Sequence, residues 1–263
     1  MTGLFAVTPH GDGVVSLRIA DDAVHHLDPE WLDPFLSRLA TMGSDPSVRA
    51  VILEGGTQYF CAGASRDSLL ASVTRARSYA ARVPHALLHL PVPVVAAMAG
   101  HATGGGLVLG LWCDAAVLAA ESLYGANFMA LGFTPGMGAT CAVPEAFGAP
   151  LGRELLWTGR LMTGREIRDA CCPLSHAVHP RDEVFARALS LSRDCAATSR
   201  DAAVRFKQQL AASRRACLEG ALAAEDAGHE RLLADPSIRE EIARRYAAGP
   251  PSSGADASST PGE

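Results

Sequence analysis

Short apolar runs and one amphipathic stretch set the frame of this chain. Val14 to Ile19 and Val51 to Leu53 are rich in β-branched residues and bounded by Gly, Asp or Pro, which predicts strands. Between them Asp28-Pro29-Glu30 opens a segment with Trp31, Leu32, Phe35, Leu36 and Leu39 at helical spacing, a start marked by an N-capping residue and an acidic first turn. Val92 to Met98 reads as a short buried strand, followed by a Gly-rich turn and another helix. Strand–helix–strand followed by strand–turn–helix predicts an α/β core. Thr163-Gly164-Arg165-Glu166 has the capping-box spacing and starts a further helix through Ile167. From Asp182 to about Ala247 the pattern is helical with no strand signal, and Gly249 to Glu263 is Pro/Ser/Gly-rich without periodic apolar positions, so disorder is expected there. No internal repeat is visible.

Composition narrows the function classes. The 263 residues are 48% hydrophobic and 19% charged, enough for a large core in one generous domain or in a domain with an appendage. A formal charge of −5 gives no basic footprint for nucleic acid. Lys207 is the single lysine among 23 basic residues, which rules out the P-loop pattern and most lysine chemistry. Seven cysteines without paired spacing argue against a disulfide scaffold and suit a reducing compartment. The longest stretch free of acidic and basic side chains, Val83 to Cys113, is long enough to span a membrane, but Pro91, Pro93, three His and Gly104-Gly105-Gly106 break it up. The start, MTGLFAVTPHGDG, lacks a basic segment followed by an apolar one, so no signal peptide and a cytoplasmic location are expected.

Two small-residue turns follow apolar strands: Tyr59-Phe60-Cys61-Ala62-Gly63-Ala64-Ser65, and Gly100-His101-Ala102-Thr103-Gly104-Gly105-Gly106. Consecutive glycines opening a helix leave bare N–H groups at its positive end, where an anion or developing oxyanion is received. A Gly cluster also serves close backbone packing, and no GxGxxG follows a strand. His85 and His89 have i,i+4 spacing without a carboxylate partner and read as packing residues; adjacent Cys171 and Cys172 read as two buried small residues. Cys61 has no assignable His–acid pair, and His101 either shapes the second turn or merely packs at a strand end.

Taken with Gly132-Phe133-Thr134-Pro135-Gly136-Met137-Gly138-Ala139-Thr140, the turns resemble the enoyl-CoA hydratase/isomerase (crotonase) superfamily. The matching segments are FCAGAS at 60–65, PVVAAMAGHATGGG at 93–106, GFTPGMGAT at 132–140 and WTGRLMTGREI at 157–167, in family order. The resemblance implies a crotonase-like spiral of ββα repeats over 1–195, a C-terminal helical region over 196–247 and a disordered tail over 248–263. It implies a homotrimer or a hexamer built as a dimer of trimers. It also implies an oxyanion hole for a thioester carbonyl, with the backbone N–H groups of Ala64 and Gly105 as donors and Ala62 beside them.

The family's hydratases add water with two Glu, and those positions read Val108 and Phe128 here. Neither transfers a proton, and addition of water needs a group that activates it. With Trp112, Asn127 and Met129 they suggest a mostly apolar binding pocket. Segments 59–70, 100–114 and 120–140 are similar to the decarboxylating members of polyketide β-branching cassettes. That similarity implies conversion of 3-methylglutaconyl to 3-methylcrotonyl on an acyl carrier protein through a dienolate, with no cofactor, membrane or nucleic acid involved. His229, in Glu225-Asp226-Ala227-Gly228-His229-Glu230, matches the His of those relatives and by that resemblance is the candidate proton carrier; without the resemblance it reads as a solvated His on a helix face among acids. The relatives also supply a Lys after the first turn, where this chain offers Arg77, Ser78 or Tyr79. Arg77 would hold a carboxylate as a permanent cation, and Tyr79 would offer a hydroxyl.

CoA-using relatives tend to carry a basic residue before the first long helix; Asp21-Asp22-Ala23-Val24-His25-His26 favours a phosphopantetheine arm on a carrier protein over free CoA. Two other readings stay open: dehydration of a 3-hydroxy-3-methylglutaryl thioester, alone or coupled to decarboxylation, and a non-catalytic binding protein on the same fold.

Overall fold

The computed structural model describes residues 4–19, 26–56, 58–71 and 73–248. Its larger sheet has the order β1 (Phe5–Pro9), β2 (Val14–Ile19), β3 (Ala50–Glu54), β5 (Val94–Met98), β7 (Ala115–Ala119) and β10 (Val178–His179), parallel throughout except for the β1–β2 hairpin. At β3 and β5 both faces of the sheet are buried, which is why these strands read as continuous apolar runs. Val51, Leu53, Val94, Ala96 and Met98 point into the main core, while Ala50, Ile52, Val95 and Ala97 pack with Val184 and Ala188 of α8 (Val184–Ala196). The period of two along each strand sorts alternate residues to opposite layers.

The smaller sheet holds β4 (Tyr59–Cys61), β6 (His101–Thr103), β8 (Leu123–Gly125) and β9 (Met162–Thr163). β4 and β6 are parallel, with Tyr59 opposite His101 and Cys61 opposite Ala102, so the two small-residue turns leave the sheet side by side. The loop after the C-terminal end of a parallel strand is where α/β sheets bind ligands.

The helices are α1 (Pro29–Ser44), α2 (Arg66–Ala71), α3 (Val73–His89), α4 (Gly105–Leu111), α5 (Ala139–Phe147), α6 (Ala149–Thr158), α7 (Gly164–Asp169), then α8, α9 (Arg200–Leu233) and α10 (Pro236–Ala248). The capping box at α7 forms as the sequence predicts, with Thr163 and Glu166 bonding each other's backbone N–H. The helical reading of the C-terminal part also holds, from α8 through α10. The tail expected to be disordered begins where α10 ends, and 249–263 lie outside the described residues. The charge-poor stretch from Val83 is divided among α3, β5, β6 and α4, and among the described residues no helix is long and apolar enough to cross a membrane.

Two expectations about cysteine are corrected. Cys141 of α5 and Cys217 of α9 form a disulfide with Cα atoms 6.1 Å apart and a sequence separation of 76; the packing of α5 on α9 makes the pair, and no local spacing signals it. Cys171 is exposed with φ +51°, and Cys172 is half-buried, so the adjacent pair is not a buried one.

The single lysine proves structural. Lys207 is 4% exposed, and its ammonium donates to Asp114 Oδ2 at 2.8 Å and to the Val92 carbonyl at 2.9 Å, tying α9 to the ends of β5 and β7. Asp114 also accepts from the Val94 N–H at 2.7 Å. Removing one partner of such a pair strands the other's charge, so Lys207→Met lowers the unfolding free energy by about 3 kcal/mol in a urea titration. Adding Asp114→Asn recovers part of that loss.

Candidate active site

The first turn and the second touch. A Cβ on Gly63 would lie 3.0 Å from the Gly105 nitrogen and 3.1 Å from the Thr103 carbonyl oxygen. Gly104, at φ +54° and ψ −126°, takes a conformation L side chains rarely adopt, and a side chain at Gly106 would overlap the Cys61 carbonyl. Gly105 then begins α4, so its N–H is one of the amides a helix leaves unsatisfied. Among the described residues no protein acceptor is bonded to the N–H of Gly105 or of Ala64. Ala62 lies in the same turn, its carbonyl accepting from the Thr103 hydroxyl at 3.4 Å.

The first turn is held from several directions. The Gly63 carbonyl accepts from the Leu27 N–H at 2.8 Å and lies 3.2 Å from His26 Nδ1. Asp28 takes the N-cap position of α1, but its carboxylate accepts from the Ser65 N–H and hydroxyl at 3.3 and 3.1 Å instead of capping the helix. The Tyr246 hydroxyl of α10 donates to the Ala64 carbonyl at 3.4 Å, and burial pushes that phenol up to about 12. Arg239 and Arg245 donate to the carbonyls of Leu70 and Ala130, so α10 bridges α2 and the 129–132 loop.

A third element closes over the turns. Glu225 on α9 accepts from Gly138 N–H at 2.7 Å, Thr140 N–H at 2.9 Å and the Thr140 hydroxyl at 2.7 Å, at the positive end of α5. Burial pushes its carboxyl above the ordinary range against the pull of these donors. One turn on, His229 is 8% exposed, with Nδ1 3.2 Å from the Glu225 carbonyl. A carbonyl only accepts, so Nδ1 carries the proton. The imidazole lies against Gly136, its Cε1 3.1 Å from where a Cβ would be, and 6.1 Å from the Phe133 ring. Phe133 meets Phe128 edge-on at 5.7 Å and stacks with Tyr246 at 6.5 Å. Met137 sits at φ +63°; its carbonyl accepts from Trp112 Nε1 at 2.8 Å, and its Sδ is 2.9 Å from the place of a Cβ on Gly105.

Of the residues singled out in the sequence, the fold brings Ala62, Ala64, Gly105, Asn127 and Phe128 together at the turns. Asn127 Oδ1 and Phe128 Cε1 are 3.1 and 3.9 Å from where a Cβ on Gly104 would lie. His229 joins them through Phe133. Val108 and Trp112 are fully buried, and Trp112 acts as a strut under the Met137 loop, with the Arg214 guanidinium 5.0 Å above its ring. The side chains of Arg77, Ser78 and Tyr79 lie outside the described residues, as do residues 20–25. His101 Nδ1 accepts from the Leu123 N–H at 2.9 Å and joins β6 to β8; burial depresses its basicity. Cys61 is fully buried, its thiol pushed up to about 12, so it offers no thiolate at neutral pH. His85 lies 3.6 Å from Glu219, and His89 Nδ1 bonds the His85 carbonyl; no group of metal-binding side chains exists among the described residues. Sequence reasoning missed Leu27, Asp28, Glu225 and Tyr246. Only the four-residue spacing of Glu225 from His229 signalled any of them, by placing both on one helix face.

The sequence matches the enoyl-CoA hydratase/isomerase family over residues 10–247. The chain belongs to that family. It is 34% identical over 218 residues to the bacillaene synthase decarboxylase PksI of Bacillus subtilis, covering 82% of this chain and 87% of PksI. The ECH2 decarboxylase domain of CurF from Lyngbya majuscula superposes with a TM-score of 0.83 at 29% identity, covering 92% of this chain and 98% of that domain. A structure from a dehydratase/decarboxylase enzyme couple involved in polyketide β-branching superposes at 0.86 with 30% identity over 92% of this chain and 98% of that one. The α/β fold with its paired sheets is the crotonase fold.

Proposed function

We propose that this chain is a lyase that removes carbon dioxide from a 3-methylglutaconyl-type thioester, leaving a 3-methylcrotonyl-type thioester, in polyketide β-branching. The observation that carries the reading is the pair of adjoining turns whose Ala64 and Gly105 amides have no protein acceptor among the described residues, beside the apolar Phe128. The resemblance to PksI and CurF ECH2 gives the reaction class.

In this reading the thioester oxygen accepts from both amides. The bond between the γ-carbon and the carboxylate breaks, carbon dioxide departs, and the electron pair spreads through the double bond to the thioester oxygen as a dienolate. Fixed donors aimed at that oxygen stabilise it without reorganisation. A proton returned through His229 to the γ-carbon completes the product, replacing the carboxylate by hydrogen. Hydration is disfavoured because the carboxylates found at the site, Asp28 and Glu225, are both occupied with backbone amides. No cofactor enters the scheme.

The substrate is carried on the phosphopantetheine of an acyl carrier protein, in the cytoplasm. Copies of the chain associate as a trimer or a dimer of trimers, which covers the exposed Phe206 and Leu210 one turn apart on α9. Incubation with 3-methylglutaconyl carrier protein, followed by mass spectrometry of the loaded carrier, shows loss of carbon dioxide. Loss of water from the 3-hydroxy-3-methylglutaryl form would assign dehydration, and an unaltered acyl group with retained carrier binding would leave a binding protein.

A further inference from the structure

We infer that His26 is a positioning residue of the oxyanion hole, holding and polarising the peptide unit that presents the Ala64 N–H; the inference rests on the decarboxylase reading and deepens it. That donor belongs to the same planar amide as the Gly63 carbonyl, and planarity makes the two ends rigid with respect to each other. Whatever fixes the carbonyl therefore aims the N–H. Two donors reach it: the Leu27 N–H at 2.8 Å and the His26 imidazole at 3.2 Å. Because a carbonyl oxygen cannot donate, the imidazole must carry its proton on Nδ1.

The two bonds act in the same sense. Each blocks a peptide flip that would turn the Ala64 N–H away from the site. Each also withdraws electrons from the amide oxygen, which makes the N–H at the other end a stronger donor. The Leu27 bond is made by backbone and is indifferent to side-chain identity. The His26 bond is the part that a side chain adds, from a segment 37 residues before its acceptor. His26, which the sequence offers only as part of a segment without the basic residue of CoA-using relatives, thus has its imidazole on the first turn.

The test pairs turnover with the amide proton resonance of Ala64, recorded without substrate. His26→Phe and His26→Ala lower kcat about tenfold, less than the roughly hundred- to thousandfold cost of losing a donor outright, because the N–H is weakened and not removed. KM stays nearly unchanged, and the Ala64 resonance moves upfield. His26→Asn, whose side-chain nitrogen falls where Nδ1 lies, recovers both. Unchanged kcat in His26→Phe, an unmoved resonance, or a loss that His26→Asn fails to recover overturns the inference. If the wild-type protein leaves the thioester intact, the decarboxylase reading fails on its own, and the resonance still decides whether His26 acts on this peptide.

Discussion

Replacing the amide N–H of Ala64 by an ester oxygen lowers the rate of carbon dioxide loss by about a hundred- to thousandfold, the cost of one oxyanion-hole donor. An ester at this one linkage keeps every side chain. The folded state loses no protein hydrogen bond at the N–H itself, since among the described residues that group has no protein acceptor. The Gly63 carbonyl becomes a weaker acceptor, so the bonds from Leu27 and His26 loosen and stability falls by about 1 kcal/mol. Decarboxylation monitored on the loaded carrier protein, beside a thermal unfolding curve, separates the two effects. A rate within a few fold of wild type, with the fold intact, would remove Ala64 from the hole and leave Gly105 as its only assigned donor.

Sites made of backbone leave a particular trace in a sequence. At Ala62–Ala64 and Gly104–Gly106 the chemistry needs small residues and bare amides, so the signal is the run of small residues, legible without the fold. β3 and β5 were equally legible because burial on both faces makes them unbroken apolar runs. β1 escaped notice as an edge strand with only Phe5 buried, and β4, β6, β8 and β9 are two or three residues long, too short to carry a period. The residues that steady the site were hidden for a different reason. Tyr246 meets Ala64 across 182 residues, and Glu225 meets Thr140 across 85, so nothing local marks either contact. Asp28 was legible as the start of α1, but its carboxylate is drawn off to Ser65 because that one residue of the first turn offers both an N–H and a hydroxyl. Trp112, read with Val108 and Phe128 as lining of an apolar pocket, donates its indole N–H to the Met137 carbonyl beneath the loop.

His229→Gln slows product formation by about a hundred- to ten-thousandfold, the range for loss of a positioned proton carrier. Glutamine keeps most of the volume against Gly136 and Phe133, and it presents a hydrogen-bonding group, but it cannot relay a proton. The Nδ1 proton of His229 is committed to the Glu225 carbonyl within α9, which fixes the ring and holds its Nε2 edge against Gly136. Glu225 is the internal control. Its carboxylate holds Gly138 and Thr140, so Glu225→Gln gives up acceptor strength at the start of α5 and registers first in stability. His229→Gln registers in rate at an almost unchanged melting temperature. Running the reaction in deuterated water sharpens the distinction, because deuterium placed at the γ-carbon by the wild-type protein becomes distributed between the α- and γ-carbons when solvent quenches the dienolate unaided. Near-wild-type turnover with the deuterium still confined to the γ-carbon would take His229 out of the mechanism and assign the proton to another group at the turns.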